Sequence, residues 1–430
     1  MQTLFTEQQL KIPAIADSNQ ILRKCVHCGF CISTCPTYQL LGDELDSPRG
    51  RIYLIKDMLE NNRSPTDKVV KHIDRCLSCL SCMTTCPADV NYMHLVDHAR
   101  RHIEKHYRRP LFDRALRALL AIILPRPSLF KWMVRLSHTS KAIHWLLPKR
   151  LKVMTDMVQT IKVKQNILSK NYYTANKNTT ARVGLLAGCV QQAIDNNINQ
   201  ATIQLLTRLG CDVFLLKNTS CCGAIEHHLG KAVQTEKRIK DNVKNWTRLI
   251  DAQGLDKIII NASGCGTMVK DYAYLLRDDN TLSVEASLIS AKTMDITEFV
   301  AQCDVNKLSF RPNNTLTVAY HSACSLQHGQ QITSQPIDLL EKFGFQVKTI
   351  PEGHMCCGSA GTYNLLQPEL AGQLGRRKAD NIKTVKADII ATGNLGCMTQ
   401  METYLDLPIV HTVELLDWAS GGTKPISLIK

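Results

Sequence analysis

Apolar positions along this chain repeat with two different periods, and the change of period divides it. Ser47 can cap a helix with Pro48 at its first position, and Ile52, Ile55, Met58 and Leu59 then form an apolar face of helical spacing. Further on, apolar residues cluster more densely. They stand at Leu116, Leu119, Leu120, Ile122, Ile123 and Leu124, then at Phe130, Trp132, Met133 and Val134, then at Ile143, Trp145, Leu146 and Leu147. Pro110, Pro125, Pro127 and Pro148 cut this stretch into short helices. After Asn171 to Thr180, a polar linker by composition, the pattern changes. Short β-branched runs at Asp212 to Leu216, Lys257 to Ile260, Phe345 to Ile350 and Ala387 to Ala391 alternate with longer helical patterns. That alternation predicts α/β units with parallel sheets.

The α/β part is an internal duplication. Its first copy carries Cys189, then Cys221-Cys222-Gly223, then Cys265; its second carries Cys324, then Cys356-Cys357-Gly358, then Cys397. The first cysteine precedes the pair by 32 positions in both copies, and the last follows the pair by 43 in one and 40 in the other. These cysteines fall just after predicted strands, where parallel sheets place their sites. Two copies are too few for a solenoid, so the expectation is a pseudo-twofold pair of small α/β domains. The organisation is then a helical domain over 1–105, a basic amphipathic segment and linker over 106–180, and repeats over 181–305 and 306–430.

Chemistry enters with the cysteines. Cys25, Cys28, Cys31 and Cys35, followed by Pro36, repeat the spacing of Cys76, Cys79, Cys82 and Cys86, followed by Pro87. Each is C-x2-C-x2-C-x3-C-P, the run that holds clusters in two-cluster ferredoxins. Three thiolates two residues apart wrap one cubane, while the fourth, beyond a turn, points to the neighbouring cluster. The expected ligand sets are Cys25, Cys28, Cys31 and Cys86 for one 4Fe–4S cluster, and Cys76, Cys79, Cys82 and Cys35 for the other. Zinc needs only four ligands and favours paired C-x2-C knuckles, which eight cysteines in this arrangement do not resemble. The Cys-Cys-Gly repeats are a second candidate. A vicinal disulfide would be strained and, in a reducing compartment, labile. A metal–sulfur site using Cys189, Cys221, Cys222 and Cys265, and another using Cys324, Cys356, Cys357 and Cys397, fits the matched spacing better, which allows one or two further clusters. Cys211 and Cys303 lie outside the pattern and are expected in the core. His27 beside the first run reads as a loop histidine.

Composition narrows the partners. Of the chain's 430 residues, 52 are Lys or Arg and 38 Asp or Glu, a formal +14. Arg100 to Lys170 alone holds 17 Lys/Arg against 3 Asp/Glu, so the whole excess sits there. Basic helices carrying Trp and Leu suit an anionic membrane surface. They equally suit an interdomain bridge or a partner subunit; no nucleic-acid-binding motif accompanies the charge, so nucleic acid is not expected. Met1 to Lys24 lacks a secretory h-region, and no run of about twenty apolar residues spans a bilayer. A cytoplasmic protein, peripheral on the inner face of the inner membrane, is the expectation.

These residues together resemble a known family. The stretches Cys25 to Cys31, Cys35 to Asp46, Pro48 to Lys56, Gly353 to Leu370 and Ala391 to Cys397 are similar to those of the iron–sulfur subunits of bacterial glycolate oxidases (glycolate dehydrogenases). The resemblance covers nearly the full chain. It implies a relay: FAD on two partner flavin-domain subunits takes the hydride as glycolate becomes glyoxylate, and this chain passes the electrons singly to a quinone or other membrane acceptor. The chain has no G-x-G-x-x-G after a strand, so no hydride chemistry and no catalytic residue is expected from it. The same relay could serve another flavin dehydrogenase, for lactate or glycerol-3-phosphate. Heterodisulfide reductases of the wider superfamily add a fifth cysteine to each Cys-Cys-Gly repeat, where Ala262 and Asn394 stand here. That departure counts against a catalytic disulfide reductase. A non-catalytic scaffold holding flavin subunits at the membrane is the third reading.

Overall fold

The computed structural model describes residues 1–139, 168, 170–216, 221–310 and 316–429. Ile143, Trp145, Leu146, Leu147 and Pro148 of the amphipathic segment lie outside these described residues.

The N-terminal module is helical. Ser47 caps helix Pro48–Glu60 by accepting from the Gly50 amide at 3.0 Å, and Ile52, Ile55, Met58 and Leu59 are buried, as the apolar spacing predicts. They pack with helices Pro13–Lys24, Asp67–Asp74 and Tyr92–His106 around Leu22, Ile73, Leu95 and Ile103. A Cβ at Gly50 would lie 2.1 Å from the Glu44 carbonyl oxygen, so glycine alone lets this helix approach the turn before it so closely.

The duplicated region forms two α/β units. Strands β1 (Tyr172–Tyr173), β2 (Ala181–Leu186), β3 (Cys211–Leu215), β4 (Lys257–Ile260) and β5 (Thr293–Asp295) make one sheet in the order β1-β3-β2-β4-β5. Strands β6 (Thr317–Tyr320), β7 (Gln346–Thr349), β8 (Ile389–Thr392) and β9 (Ile409–His411) make the other, in the order β7-β6-β8-β9. All neighbours are parallel except β1, which runs antiparallel to β3 with Tyr172 opposite Phe214. Removing β1 leaves the same strand order in both sheets. The expected linker therefore supplies an edge strand, and β5 and β9, three residues each, close the opposite edges. The repeats share one core: helix Asn197–Arg208 of the first packs on helix Thr412–Ala419 of the second, where Arg208 pairs with Asp417. Cys211 is buried in that core and Cys303 half-buried against it.

Two helices connect the modules, Leu111–Ile123 and Pro127–Thr139, with Pro110 and Pro127 at their starts. Their inner face is buried through Leu116, Leu120, Ala121, Ile123, Phe130 and Val134. Their outer face exposes Leu119, Ile122, Trp132 and Leu136 with Arg114, Arg126 and Arg135. Not all the basic charge is free, since Arg109 and Arg117 both bind Asp74, at 2.6 and 2.9 Å. The N-terminal module also docks on the first repeat through buried Asp97–His227 (2.9 Å) and through His94–Asp271 (2.8 Å). Among the described residues no helix is long and apolar enough to cross a membrane.

Candidate metal centres

The two N-terminal cysteine loops share one conformation. His27 and Gly29 in the first, and Ser78 and Leu80 in the second, all take positive φ, from +51° to +86°. Left-handed residues alternating with right-handed ones turn successive N–H groups toward one centre, a concavity suited to an anionic cluster. The Ser78 amide donates to Cys76 Sγ at 3.4 Å. Cys25, Cys28, Cys31, Cys82 and Cys86 line one hollow, with His27, Arg49 and Tyr92 beside them. Cys79, Cys76 and Cys35, and more weakly Cys31 of the first run, lie close enough to Cys82 for their charges to act on it. The fourth cysteine of each run thus lies near the other run's triplet.

Electrostatics around these loops are uneven. Arg51 is fully buried; it donates to Thr37 Oγ1 at 2.9 Å and to the His72 carbonyl at 2.7 Å, and reaches Cys35 Sγ at 3.8 Å. Asp46, held also by His72 (2.9 Å) and Arg75 (2.7 Å), completes the network. Burial alone would raise the Cys76 thiol, but Arg51 and Arg100, helped by the Ser78 amide and the Tyr92 hydroxyl, hold it below its ordinary value. Burial pushes Cys31 up to about 11 and raises Cys79 and Cys82 well above the usual thiol range. Crowded thiols that resist ionisation alone ionise when a metal takes up their charge. Soft sulfur donors so gathered fit iron–sulfur clusters.

The repeats place their cysteines at the carboxyl ends of the strands. In the first, Cys189 Sγ lies 3.3 Å from Cys221 Sγ, and Cys222 Sγ 3.3 Å from Cys265 Sγ. Gly223 and Gly358, at φ +92° and +91°, make the bend that lets two adjacent cysteines serve one site. Tyr272 Oη donates to the Cys222 carbonyl at 2.7 Å and Asn242 to the Cys221 carbonyl at 3.1 Å, fixing the pair's backbone. In the second repeat the Gly358 amide donates to Cys356 Sγ and the Asn394 side chain to Cys397 Sγ, both at 3.4 Å. Cys324, Cys356, Cys357 and Cys397 are all buried. Hydrogen bonds from neighbouring thiols hold Cys221 and Cys357 low, while Cys189, Cys222, Cys356 and Cys397 are raised. All eight cysteines open on one cavity of about 310 Å³ between the repeats, walled further by Leu77, Ser78 and Cys79 and by Leu124 and Phe130 of the connecting helices. Cys79 lies close enough to Cys324 to feel its charge.

Known proteins show the same parts in the same order. Residues 21–90 match the 4Fe-4S dicluster domain family, and residues 183–270 and 318–402 each match the cysteine-rich domain family. The chain is 38% identical over 419 residues to the "Glycolate oxidase iron-sulfur subunit" of Escherichia coli K12, covering 97% of this chain and 99% of that one. It belongs to the glycolate oxidase iron–sulfur subunit family. A "Probable glycolate oxidase iron-sulfur subunit" of Bacillus subtilis is 28% identical over 431 residues, covering 94% of this chain and 95% of that one. "Lactate utilization protein A" of Bacillus licheniformis is 26% identical over 246 residues, 55% of this chain and 99% of that one.

For a glycolate oxidase iron–sulfur subunit family member, an electron-transfer role follows from the domains it carries. Sequence reasoning missed three residues around its cysteines. Arg51 lies within the Pro48 to Lys56 stretch, where the apolar spacing of its neighbours says nothing of a buried cation. His321, three positions before Cys324, is buried against the second repeat's site. Lys378, on helix Pro368–Thr384, is buried with Nζ donating to the Glu352 carbonyl at 2.8 Å. Burial lowers its affinity for a proton, and the nearby Cys324, Cys357 and Cys356 oppose that.

Proposed function

We propose that this chain is the electron relay of a glycolate-oxidising dehydrogenase. The observation that carries the reading is the run of thiols from exposed Cys28, through the two N-terminal loops, to a cavity shared by both repeats and touched by Cys79. In this reading Cys25, Cys28, Cys31 and Cys86 hold one 4Fe–4S cluster and Cys76, Cys79, Cys82 and Cys35 another. Cys189, Cys221, Cys222 and Cys265 hold a third, and Cys324, Cys356, Cys357 and Cys397 a fourth. Such clusters accept and release one electron at a time, within a span of about −700 to +450 mV. FAD on two partner flavin subunits takes the hydride from glycolate, giving glyoxylate, and a membrane quinone or similar acceptor receives the electrons. The chain's own residues hold, insulate and tune the clusters, and Arg51 and Arg100 place positive charge beside Cys76.

The outward apolar and arginine face of helices Leu111–Ile123 and Pro127–Thr139 supports attachment to the inner membrane surface, where each basic side chain near anionic lipid contributes about 1 kcal/mol. The likeness to lactate utilization protein A favours one second reading, a relay that serves a lactate-oxidising flavoprotein. Deleting the chain decides between relay and scaffold. The relay requires loss of glycolate-dependent quinone reduction in membranes with the flavin subunits still folded; full activity in its absence sinks it. Comparing glycolate with lactate in the same membranes separates the two substrates. For the crossed ligand sets, Cys35→Ser is expected to damage the cluster of the Cys76 triplet in EPR, and damage confined to the Cys25 triplet's cluster overturns the crossing.

A further inference from the structure

The two repeat sites match in sulfur but differ in nitrogen. His321 directly follows β6, and its backbone amide donates to the Ala391 carbonyl of β8 at 2.9 Å, so the strand edge fixes where its ring points. The residue is 1% exposed; one ring nitrogen comes close enough to Cys357 to act on its sulfur, and no oxygen or nitrogen among the described residues partners the ring. A ring nitrogen and the sulfurs of Cys357 and Cys397 all lie within 4.8 Å of one another. Aligning the repeats on Cys324 and Cys189 puts Leu186 at the matching position of the first, which offers no donor. A buried imidazole whose nearest polar partner is a weakly bonding sulfur forfeits much of the desolvation cost of its polar atoms. Coordination to a metal removes that cost, and imidazole beside thiolates is a normal iron ligand set.

We propose that His321 is a fifth protein ligand of the second repeat's metal–sulfur site, making that site a mixed nitrogen–sulfur one while the first stays all-sulfur. The inference rests on the reading above that the repeats hold clusters. Four thiolates already match the four irons of a cubane, so His321 would be an additional ligand, beside Cys357 or Cys397. Imidazole binds as a neutral ligand, so its iron carries less negative charge than one bound by thiolate alone. Histidine for cysteine raises the potential of two-iron centres for the same reason. The second repeat's cluster is therefore the more readily reduced of the two.

Pulsed EPR of the full chain, purified anaerobically after growth on 15N-labelled histidine, tests this. The expected result is a hyperfine coupling of directly bonded size that changes with the isotope. In His321→Leu that coupling is lost, iron and sulfide content stay as in the wild type, and one midpoint potential moves to a more negative value. Should His321→Leu lose iron, the labelled wild type still gives the answer without a substitution. Absence of a histidine coupling at full iron content overturns the proposal, as does one that survives His321→Leu but vanishes in His27→Leu, or one only of the size of a hydrogen bond to the cluster. Iron of about eight atoms per chain, rather than about sixteen, instead overturns the underlying reading that the repeats hold clusters.

Discussion

The first and second cysteine-rich repeats keep the same strand order and the same four sulfur positions, but they surround them with different chemistry. Behind the first site stand amides, a phenol and the Glu226–Arg238 ion pair, whose opposite charges both act on Cys221. Asn242 and Tyr272 hold the carbonyls of Cys221 and Cys222, and Gln191, Asn199, Asn261 and Thr202 are hydrogen-bonded to one another at 2.8 to 3.1 Å. Behind the second stand Lys378, His321 and Asn394, one buried amine and two nitrogen donors. Cys324 of the second repeat lies close enough to Cys79 of the N-terminal module for its charge to act on it. Duplication has conserved what is needed to hold sulfur in place, while substitutions one layer out have separated what the two sites can do. A buried positive charge and N–H donors aimed at sulfur favour the more negative, reduced state of a cluster.

The largest difference is expected in how each repeat communicates with the N-terminal module. Cys324→Ser should abolish the magnetic interaction between the reduced cluster of the Cys76 triplet and the second repeat, whereas Cys189→Ser should leave it intact. EPR of the reduced variants reads this directly, and equal loss in both would break the comparison. Next in size is a difference in packing. Gly223 and Gly358 share a left-handed backbone, so alanine costs each about 1–2 kcal/mol. A Cβ at Gly358 would also come within 2.6 Å of the Ala371 carbonyl oxygen, while the nearest atom at Gly223 is Met268 Cε at 3.6 Å. Gly358→Ala should therefore be the more destabilising by about 1–3 kcal/mol, the usual cost of overpacking. Denaturant midpoints of the two variants measure it.

Smaller effects should appear in the potentials. Lys378→Met removes the buried amine, so the second repeat's cluster should become harder to reduce in an EPR-monitored redox titration. Asn242→Met, on the corresponding helix, should leave the potentials near their wild-type values and instead cost about 1–3 kcal/mol for the unsatisfied Cys221 carbonyl. A potential shift of the same size in both would remove the charge argument. Smallest of all, Asn394→Ala deletes a single donor to Cys397 Sγ and should shift the same potential slightly negative. Ala262→Asn in the first repeat should shift its partner's slightly positive, and no movement in either would show that this amide only fills space.

Much of this arrangement is legible in the sequence. Fixed cysteine spacings impose loop geometry locally, so the two N-terminal runs and the Cys-Cys-Gly pairs carry their meaning in the chain itself. The alternation of β-branched and helical runs gave β3, β4, β7 and β8 to within two residues. β1, β5 and β9 escaped because strands of two or three residues, such as Thr293-Met294-Asp295, leave no periodicity to detect. Arg51, His321 and Lys378 escaped for a different reason. Each matters through neighbours distant in sequence: Arg51 meets Cys76, and Lys378 reaches Cys324, 54 positions earlier. A charged residue on a helix normally reads as solvent-facing, and only the fold turns it inward. The connecting helices showed the converse, since their dense apolar pattern supplies both a buried face and an exposed one.

If the repeats hold clusters as proposed, the shared cavity links the folding of this protein to iron supply. Cys222, Cys356 and Cys357 are at most 3% exposed, and Leu124, Phe130 and the second cysteine loop wall the space they face. A cluster held by these cysteines would lie behind the connecting helices and the N-terminal module, so those elements would settle over it once it is delivered. A chain made during iron shortage would stay ajar, with the apolar inner face of those helices open to proteases. Its cellular amount would then report on the iron–sulfur assembly machinery itself, and limited proteolysis of chains made with and without iron shows whether it does.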